Sequence, residues 1–334
     1  MNTQEISRIF VSPGPIFEPL LHDDHSGNGL TKVLKQAGIG AGDRVLNTWA
    51  YHLVPAGLLL DDALRAVGAT VIPGGTGNAE LQAQIVMELG VTCICASTAF
   101  FITLCQTLEA QGHRLPQDWC VRNALLGGEM GDWMGKRCRL EMRYGIRTFA
   151  AYATGDLGLI GYECDGVPGY RIDDGRIVQV CDPASGVPLP LGEPGEIVVS
   201  TLNPAWPLIR FGTGDVTYAT ALHPDGSVQR TGMLQGRVGQ AVKVREIFVY
   251  PRQIEDLVLG VPGLTQAQAV VRRPAHRDEL TLRVVLVSGA DLLAIDAEIR
   301  TRFQSLTRLR LDQIEPMGTA TAGEMPLLLD ARAG

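Results

Sequence analysis

Strand-length apolar runs alternate with helix-length segments from Arg44 onward, and glycine or a polar residue bounds most of them. This pattern predicts strands and helices in alternation. The predicted strands are Arg44–Tyr51, Ala69–Pro73, Val91–Cys95, Val121–Leu126 and Ile146–Ala150. The predicted helices are Val54–Val67, Ala79–Leu89 with Asn78 as its N-cap, Thr98–Ala110 and Trp133–Tyr144. Alternation at this spacing predicts an α/β domain with a parallel sheet and crossover helices.

The pattern changes after about Asp165, where short predicted strands are separated by turn signals. Asp182-Pro183 and Pro224-Asp225-Gly226 are two of these signals. Gly195–Ser200 is the clearest strand of the region. We expect an antiparallel β region that completes the first domain.

A linker is predicted over Gly232–Gln240, which holds three glycines and few apolar residues. Beyond it the order strand, helix, strand, strand, helix, strand predicts a split βαβ module. These elements are Val242–Val249, Arg252–Leu259, Gln266–Val271, Glu279–Val287, Asp291–Gln304 and Arg308–Ile314. We therefore expect a large domain over residues 1–235 and a small α+β C-terminal domain over residues 236–334.

Composition and charge narrow the class of protein. The 334 residues are 46% hydrophobic and 19% charged, with a formal net charge of −7. An acidic balance does not imply a nucleic-acid partner, and no run approaches the roughly 20 apolar residues of a membrane span. Met1–Glu5 is polar, so no signal peptide is visible. Seven cysteines without framework spacing predict reduced thiols and a cytoplasmic location.

One stretch, Pro207–Asp215, predicts a ligand site. Its apolar run ends in Gly-Thr-Gly-Asp, which would present the Asp215 carboxylate at a strand end, where α/β proteins usually bind ligands. A carboxylate can accept hydrogen bonds from two neighbouring hydroxyls, such as a ribose diol. The alternative is a turn with a solvated aspartate.

Two enzyme classes that use similar folds are excluded by spacing. Gly74–Gly77 follows a strand but lacks the GxGxxG spacing of a dinucleotide site and the acidic residue after the next strand. No GxSxG motif is present, so the six histidines have no recognisable serine nucleophile to activate.

Several motifs, in the same order and spacing, resemble those of the phenylacetate–CoA ligase branch of the adenylate-forming enzymes. The resemblance runs from about Ser7 to Ala333. The motifs are Gly192–Val198, Pro207–Asp215, Gly236-Arg237, Tyr250–Glu255, Val261–Leu264 and Asp278–Thr281.

The resemblance implies a large nucleotide- and acid-binding domain and a small mobile C-terminal domain. A carboxylic acid, with an aryl acid favoured, would react with ATP and Mg²⁺ to give an acyl-adenylate. A thiol, that of coenzyme A or of another acceptor, would then displace AMP. Such chemistry depends on positioning and on charge neutralisation at phosphorus.

The resemblance also assigns site residues. Asp215 matches the ribose-binding carboxylate and Arg237 an arginine that contacts the same sugar. Tyr152 matches a tyrosine that stacks on adenine, and Gly127-Gly128-Glu129 matches the loop along that base. For Tyr152 the alternative is a core aromatic, for Glu129 a charge favoured by a helix N-terminus, and for Arg237 a surface arginine.

Three further positions follow from the same resemblance. Asp156 stands where the family has a magnesium-binding glutamate. Phe100 and Tyr51 fall where aromatic side chains line the acyl pocket, and the alternative for Phe100 is a core aromatic.

The chain departs from the family where triphosphate should bind. It begins near the phosphate loop, without the family's preceding segment, and the loop position Ser12–Pro19 holds three prolines and Glu18 instead of threonines and a lysine. The family's C-terminal lysine position is Glu324. No catalytic residue is therefore assigned. The sequence favours an active ligase, and the alternative is a degenerate relative that binds AMP or an acyl-adenylate. It leaves the oligomeric state open.

Overall fold

A computed structural model describes residues 5–12, 16–21, 29–127, 133–201, 207–238, 242–245, 247–249, 251–287, 289–317 and 326–332. The chain divides into two compact units, Met1–Gly236 and Arg237–Gly334.

The first unit begins with an antiparallel hairpin, β1 (Ile6–Ser12) and β2 (Ile16–Leu21), followed by helix α1 (Leu30–Gln36). Phe10 lies opposite Glu18 in the hairpin. Phe10 and Leu20 are buried against Leu59, and Glu18 is buried on the same face because alternate strand residues share a face.

A parallel sheet forms the centre of the first unit. Its strands are β3 (Arg44–Asn47), β4 (Thr70–Pro73), β5 (Cys93–Ser97), β6 (Asn123–Gly127) and β7 (Arg147–Phe149), in the order β4-β3-β5-β6-β7. The intervening helices are α2 (Ala56–Ala66), α3 (Ala79–Glu88), α4 (Thr98–Ala110) and α5 (Trp133–Tyr144). All of its strand pairs are parallel. The predicted parallel sheet with crossover helices is confirmed.

Two apolar clusters cover this sheet. One contains Phe101, Trp119 and Tyr144, whose rings contact one another. The other contains Cys93 and Cys95, which are fully buried on one face of β5. The pair therefore belongs to a buried strand rather than a metal site, and no disulfide joins any of the seven cysteines.

An antiparallel sheet completes the unit. Its strands are β8 (Ala151–Thr154), β9 (Gly158–Cys164), β10 (Val167–Ile172), β11 (Arg176–Cys181), β12 (Pro194–Thr201), β13 (Phe211–Leu222) and β14 (Val228–Thr231), in the order β11-β12-β13-β14-β10-β9-β8. The short strand β15 (Gly236–Arg237) follows. Met233 packs against the core of this sheet and against one cluster of the parallel sheet, which joins the two layers.

The second unit is α+β, as predicted. Its elements are β16 (Val242–Val244), β17 (Ile247–Val249), α6 (Pro251–Gly260), β18 (Leu264–Arg272), β19 (Glu279–Leu286), α7 (Leu292–Thr307), β20 (Gln313–Pro316) and β21 (Leu328–Asp330). Four strands form one sheet in the order β20-β19-β18-β21, and Ile254, Ile299 and Phe303 are buried in the core that this sheet shares with α6 and α7.

One predicted strand of the second unit is divided. Val242–Val249 forms a separate two-stranded hairpin, β16 with β17, because Arg245 adopts a left-handed backbone conformation (φ +47°). The place beside β18 is taken instead by β21, with Ala269 opposite Leu328.

A buried carboxylate links that hairpin to the rest of the second unit. Asp278 accepts hydrogen bonds from the Arg245 backbone N–H (3.1 Å), Arg273 Nε (2.7 Å) and Arg332 Nη1 (3.3 Å). Arg332 also donates to the Lys243 carbonyl (2.8 Å). The segment after β21 is therefore joined to the β16–β17 hairpin both through Asp278 and by the direct hydrogen bond from Arg332 to Lys243.

Candidate functional site

The carboxyl ends of three adjacent parallel strands bring predicted site residues together. β3, β5 and β6 end at Asn47, Ser97 and Gly127, and Ser97 lies directly opposite Gly127. This edge of a parallel sheet is where α/β proteins usually form their ligand crevice.

Asn47 organises the turn that follows β3. Its Oδ1 accepts a hydrogen bond from the Trp49 backbone N–H (3.2 Å), and its Nδ2 donates to the Tyr51 hydroxyl (2.8 Å) and to the Gly57 carbonyl (2.9 Å). These bonds explain why the strand ends at Asn47 and not, as predicted, at Tyr51.

Tyr51 is half-buried, and its hydroxyl donates to Asp61 Oδ2 (2.9 Å). Burial, together with the Asp61 carboxylate, raises the pKa of the Tyr51 hydroxyl well above its usual range. Tyr51 therefore presents a fixed, neutral side chain beside the sheet edge, and its role in an acyl pocket stays a prediction.

Trp49 is a residue of this edge that the sequence did not indicate. A Cβ on Gly127 would lie 3.2 Å from Trp49 Cζ2 and 3.4 Å from Cη2, so the indole packs closely against the end of β6 and would have to shift slightly for any larger residue at position 127. An aromatic residue two positions past the end of β3 is the signal that could have found it. Gly128 and Glu129, predicted to continue this loop along adenine, lie outside the described residues.

Phe100 lies in the first turn of α4. Its backbone N–H donates to Ser97 Oγ (3.2 Å), so Ser97 is the N-cap of that helix. The ring is half-buried against the cluster of the parallel sheet that contains Phe101. Its position beside the strand ends is compatible with either of its predicted roles.

Asp215 and Tyr152 meet in the core of the antiparallel sheet. The Tyr152 hydroxyl donates to Asp215 Oδ2 at 2.8 Å. Only 6% of Tyr152 and 5% of Asp215 is exposed. The expectation that Asp215 lies at a strand end is wrong, because β13 continues to Leu222.

A β-bulge explains why β13 continues through the glycines. Ile197 of β12 lies opposite the three residues 213–215, and Gly214 adopts a left-handed conformation (φ +74°) that favours glycine. The Gly214 N–H donates to Glu196 Oε1 (2.9 Å), and Thr213 Oγ1 donates to the Ile197 carbonyl (3.0 Å) and accepts from the Asp215 N–H (3.1 Å). Bulges of this kind re-aim a side chain, here that of Asp215.

An ion pair between Glu163 and Arg137 fixes the backbone just before the strand that carries Tyr152. Glu163 accepts hydrogen bonds from Arg137 Nη1 (2.5 Å) and from the Ala150 backbone N–H (2.9 Å), between β7 and β8. Arg137 Nη2 also donates to the Thr148 carbonyl (2.5 Å). Helix α5 is thereby fixed to the strand junction that precedes Tyr152.

Asp156 lies in the turn after β8 and is half-buried. Burial raises the pKa of its carboxyl group. Thr154 Oγ1 accepts a hydrogen bond from the Leu157 N–H (3.2 Å), which fixes that turn. The carboxylate of Glu18 lies close by, against Gly155.

Within the described residues, no group of three or more histidine, cysteine, aspartate or glutamate side chains could hold a metal ion. Asp156 and Glu18 nevertheless supply two carboxylates with hard oxygen ligands, the type that Mg²⁺ prefers. A magnesium ion takes one or two protein carboxylates and completes its shell with water or phosphate oxygens, so these two residues would hold the ion that the resemblance implies.

Two predicted positions belong to the second unit. Arg237 is half-buried in β15. Glu324, at the family's lysine position, lies outside the described residues. The contacts of Asp278 and Arg332 fix the described segment that follows it, Leu328–Asp330.

The curated proteins that the chain matches are phenylacetate–coenzyme A ligases. The phenylacetate–coenzyme A ligase of Thermus thermophilus is 29% identical over 297 residues, which are 84% of this chain and 66% of that protein. The phenylacetate–coenzyme A ligase of Escherichia coli is 27% identical over 330 residues, 92% of this chain and 74% of that protein. The resemblance to the phenylacetate–CoA ligases is confirmed. No protein-family model matches the chain.

The chain spans about two thirds of the length of the Thermus thermophilus and Pseudomonas putida phenylacetate–CoA ligases, 66% in each case. No helix in the part of the chain that the structure describes is long and apolar enough to cross a membrane.

Solved structures show the same fold. A 2-hydroxyisobutyryl-CoA ligase in complex with 2-HIB-AMP and CoA superposes with a TM-score of 0.88 at 20% identity, covering 99% of this chain and 75% of that one. The o-succinylbenzoate CoA synthetase of Bacillus subtilis gives a TM-score of 0.69 at 15% identity, covering 98% and 69%. The phenylacetate–CoA ligase-like chain therefore has the fold of the adenylate-forming ligases, as predicted.

Proposed function

We propose that this phenylacetate–CoA ligase-like chain activates a small carboxylic acid with ATP and transfers the acyl group to coenzyme A or another acceptor, with aryl acids favoured. The relatives and the fold support this proposal. The observation that carries it is the Tyr152–Asp215 hydrogen bond, which joins two residues 63 positions apart that the resemblance assigns to one nucleotide.

In this proposal the base and sugar of ATP bind beside the antiparallel sheet. Asp215, whose carboxylate is positioned by Tyr152 and by the bulge, accepts hydrogen bonds from the ribose hydroxyls, because a carboxylate can accept from two neighbouring hydroxyls. The resemblance assigns Arg237 to the same sugar. Gly127, Gly128 and Glu129 lie along the adenine.

The acid would bind at the carboxyl edge of the parallel sheet, between Trp49, Tyr51 and Phe100. Its carboxylate would attack the α-phosphorus of ATP, with pyrophosphate leaving, and the thiol of coenzyme A would then displace AMP. Asp156 is the proposed ligand of Mg²⁺, which would neutralise phosphate charge when bound. We assign no catalytic side chain, because Glu324 occupies the position of the family's lysine.

The proposal includes a cytoplasmic location, since the seven cysteines form no disulfide. The alternative, a non-catalytic chain that binds AMP or an acyl-adenylate, has no support among the relatives. It would require ATP to bind more weakly than AMP, which calorimetry measures directly.

The decisive experiment is pyrophosphate release with ATP, Mg²⁺ and a panel that includes phenylacetate, benzoate and 2-hydroxyisobutyrate. We expect release above that of heat-killed protein with at least one acid, and a matching acyl-CoA detected by mass spectrometry. No release with any acid, combined with AMP binding, would establish the non-catalytic alternative instead.

A further inference from the structure

The carboxylate of Glu18 is buried in an unusual place. Glu18 is 4% exposed and points from the inner face of the β1–β2 hairpin toward the turn after β8. Its Oε1 and Oε2 lie 2.7 and 2.8 Å from the point where a Cβ on Gly155 would be. Glu18 therefore occupies the space that any side chain at position 155 would need.

Glu18 lacks a full set of partners. A hydrogen bond from the Ser12 side chain lowers the pKa of its carboxyl group, but burial raises that pKa by more. Oε2 is buried without a hydrogen-bond partner among the described residues. Arg8 of the same hairpin forms its ion pair with Asp62 instead. A buried anion without a partner is costly, so this oxygen needs a proton or a cation.

Asp156 is a second carboxylate next to the position that Glu18 fills. It follows Gly155 directly, and its charge contributes to the raised pKa of Glu18. A buried and a half-buried carboxylate whose charges repel destabilise each other unless a positive charge compensates them. Carboxylate oxygens are the usual protein ligands of Mg²⁺ and Mn²⁺.

We propose that Glu18 and Asp156 together bind a divalent cation, Mg²⁺ or Mn²⁺, and that they do so before any nucleotide is present. This inference rests on the proposed function at one point, because Asp156 is also the residue that we propose as the Mg²⁺ ligand in the ligase reaction. Glu18 is the ligand that this chain adds, from the stretch where the phosphate loop would otherwise bring a lysine.

A bound cation would change the effect that the negative charge of Glu18 has on phosphate binding. Without a cation, Glu18 repels phosphate oxygens. With a cation bound to both carboxylates, the same position presents positive charge, and a triphosphate could then complete the coordination shell. Glu18 thus replaces the fixed charge of a lysine with the charge of a bound metal.

The test is the binding of Mn²⁺ to the full chain in the absence of ATP and of any acid substrate. The electron paramagnetic resonance signal of free Mn²⁺ measures how much of the metal is bound. We expect Glu18→Gln and Asp156→Asn each to weaken Mn²⁺ binding by roughly tenfold or more, because ligand charge sets cation affinity. Gly155→Ala keeps both carboxylates but displaces Glu18, and should weaken binding as well. Glu193→Gln, which neutralises an exposed carboxylate, is the matched control and should bind as the wild type does.

Thermal unfolding gives a second readout, since Mn²⁺ should raise the Tm of the wild type and not that of Glu18→Gln. Equal Mn²⁺ affinity in the wild type and Glu18→Gln, or no detectable binding to the wild type, would overturn the inference and indicate a shared proton. The Mn²⁺ binding test contains no ATP and is therefore separate from the pyrophosphate assay of the proposed function. Wild-type Mn²⁺ binding together with no pyrophosphate release in that assay would refute only the proposed function. Pyrophosphate release with unaltered Mn²⁺ binding in Glu18→Gln would refute only this inference.

Discussion

The hydroxyl of Tyr152 donates a 2.8 Å hydrogen bond to Asp215 Oδ2, and both side chains are buried in the antiparallel sheet. One residue comes from β8 and the other from the bulge in β13, and these strands lie at different positions of the same sheet. The hydrogen bond therefore makes the position of the Asp215 carboxylate depend on Tyr152, whether or not the tyrosine ring also contacts adenine.

Tyr152→Phe should destabilise the chain by about 1–3 kcal/mol, because it leaves a buried carboxylate without one of its donors. The measurement is urea unfolding. Tyr162→Phe is the matched control, since Tyr162 is half-buried and its hydroxyl makes no hydrogen bond among the described residues. An equal decrease in the free energy of unfolding in the two variants would show that the Tyr152–Asp215 hydrogen bond makes no specific contribution to stability.

Asp215→Ala should abolish binding of AMP, since the proposed sugar contacts depend on this carboxylate. Asp215→Asn keeps the side-chain volume and should weaken AMP binding by roughly 10-fold to 100-fold, the equivalent of ~1.5–3 kcal/mol for hydrogen bonds to a charged group. Calorimetry with AMP measures both, with Glu193→Ala as an exposed control. AMP affinity that survives Asp215→Ala would contradict the role given to this residue.

The alternation of strands and helices along the sequence predicts the parallel sheet that the structure has, but local spacing does not predict the bulge in β13. Gly212-Thr213-Gly214 predicts the end of a strand, because glycines usually interrupt strands. The strand continues because Glu196 and Ile197, on a different strand, satisfy the backbone and hydroxyl groups of the bulge. Such cross-strand partners cannot be inferred from local spacing.

Local signals gave only part of the structure in two further places. Asn78 is the N-cap of α3, as predicted, but it adopts a left-handed conformation (φ +52°) and its side chain makes no capping hydrogen bond. The predicted strand from Arg44 ends early because the Asn47 side chain binds the following turn. In both places an asparagine has a conformational or side-chain role that composition alone does not distinguish.

Gly57→Ala should disturb the turn that carries Trp49 and Tyr51. A Cβ on Gly57 would lie 2.4 Å from the Ala50 carbonyl oxygen and 2.9 Å from that of Trp49, so the turn must move. Overpacking of this kind costs about 1–3 kcal/mol. Urea unfolding and tryptophan fluorescence should both change, whereas Ala56→Ser, at the exposed neighbouring position, should alter neither. A fluorescence spectrum identical to that of the wild type would argue against the close approach.

The cysteines should differ sharply in reactivity. Cys120 and Cys138 are exposed and the other five are buried. Burial also raises the pKa of the Cys105 and Cys164 thiols, which lowers the fraction of reactive thiolate. Iodoacetamide at about pH 8 should therefore label two thiols in the folded chain and all seven in urea, as counted by mass spectrometry. Rapid labelling of Cys164 in the folded chain would contradict its burial beside Arg230.

Asp278 should make the stability of the second unit depend on pH. Burial opposes ionisation of this carboxyl group, but hydrogen bonds from Arg273 and the Arg245 backbone, with the charges of Arg273 and Arg332, lower its pKa below the usual value. A folded-state pKa below the unfolded value of about 3.9 stabilises the fold above that pH. This stabilisation is lost as the pH falls through the folded-state pKa.

Asp278→Asn should consequently destabilise the chain by roughly 3–5 kcal/mol at neutral pH, because it leaves the arginines around a neutral side chain. The difference from the wild type should shrink as the pH falls below the unfolded-state value of about 3.9 and through the lowered folded-state pKa of Asp278. Urea unfolding over a series of pH values measures both effects, and Glu298→Gln, an exposed carboxylate of α7, is the control. A difference that is the same at neutral pH and at about pH 2.5 would mean that the charge of Asp278 does not stabilise the second unit. In that event the hydrogen bonds of Arg332 to Asp330 and to the Lys243 carbonyl would be left to hold the segment after β21 in place.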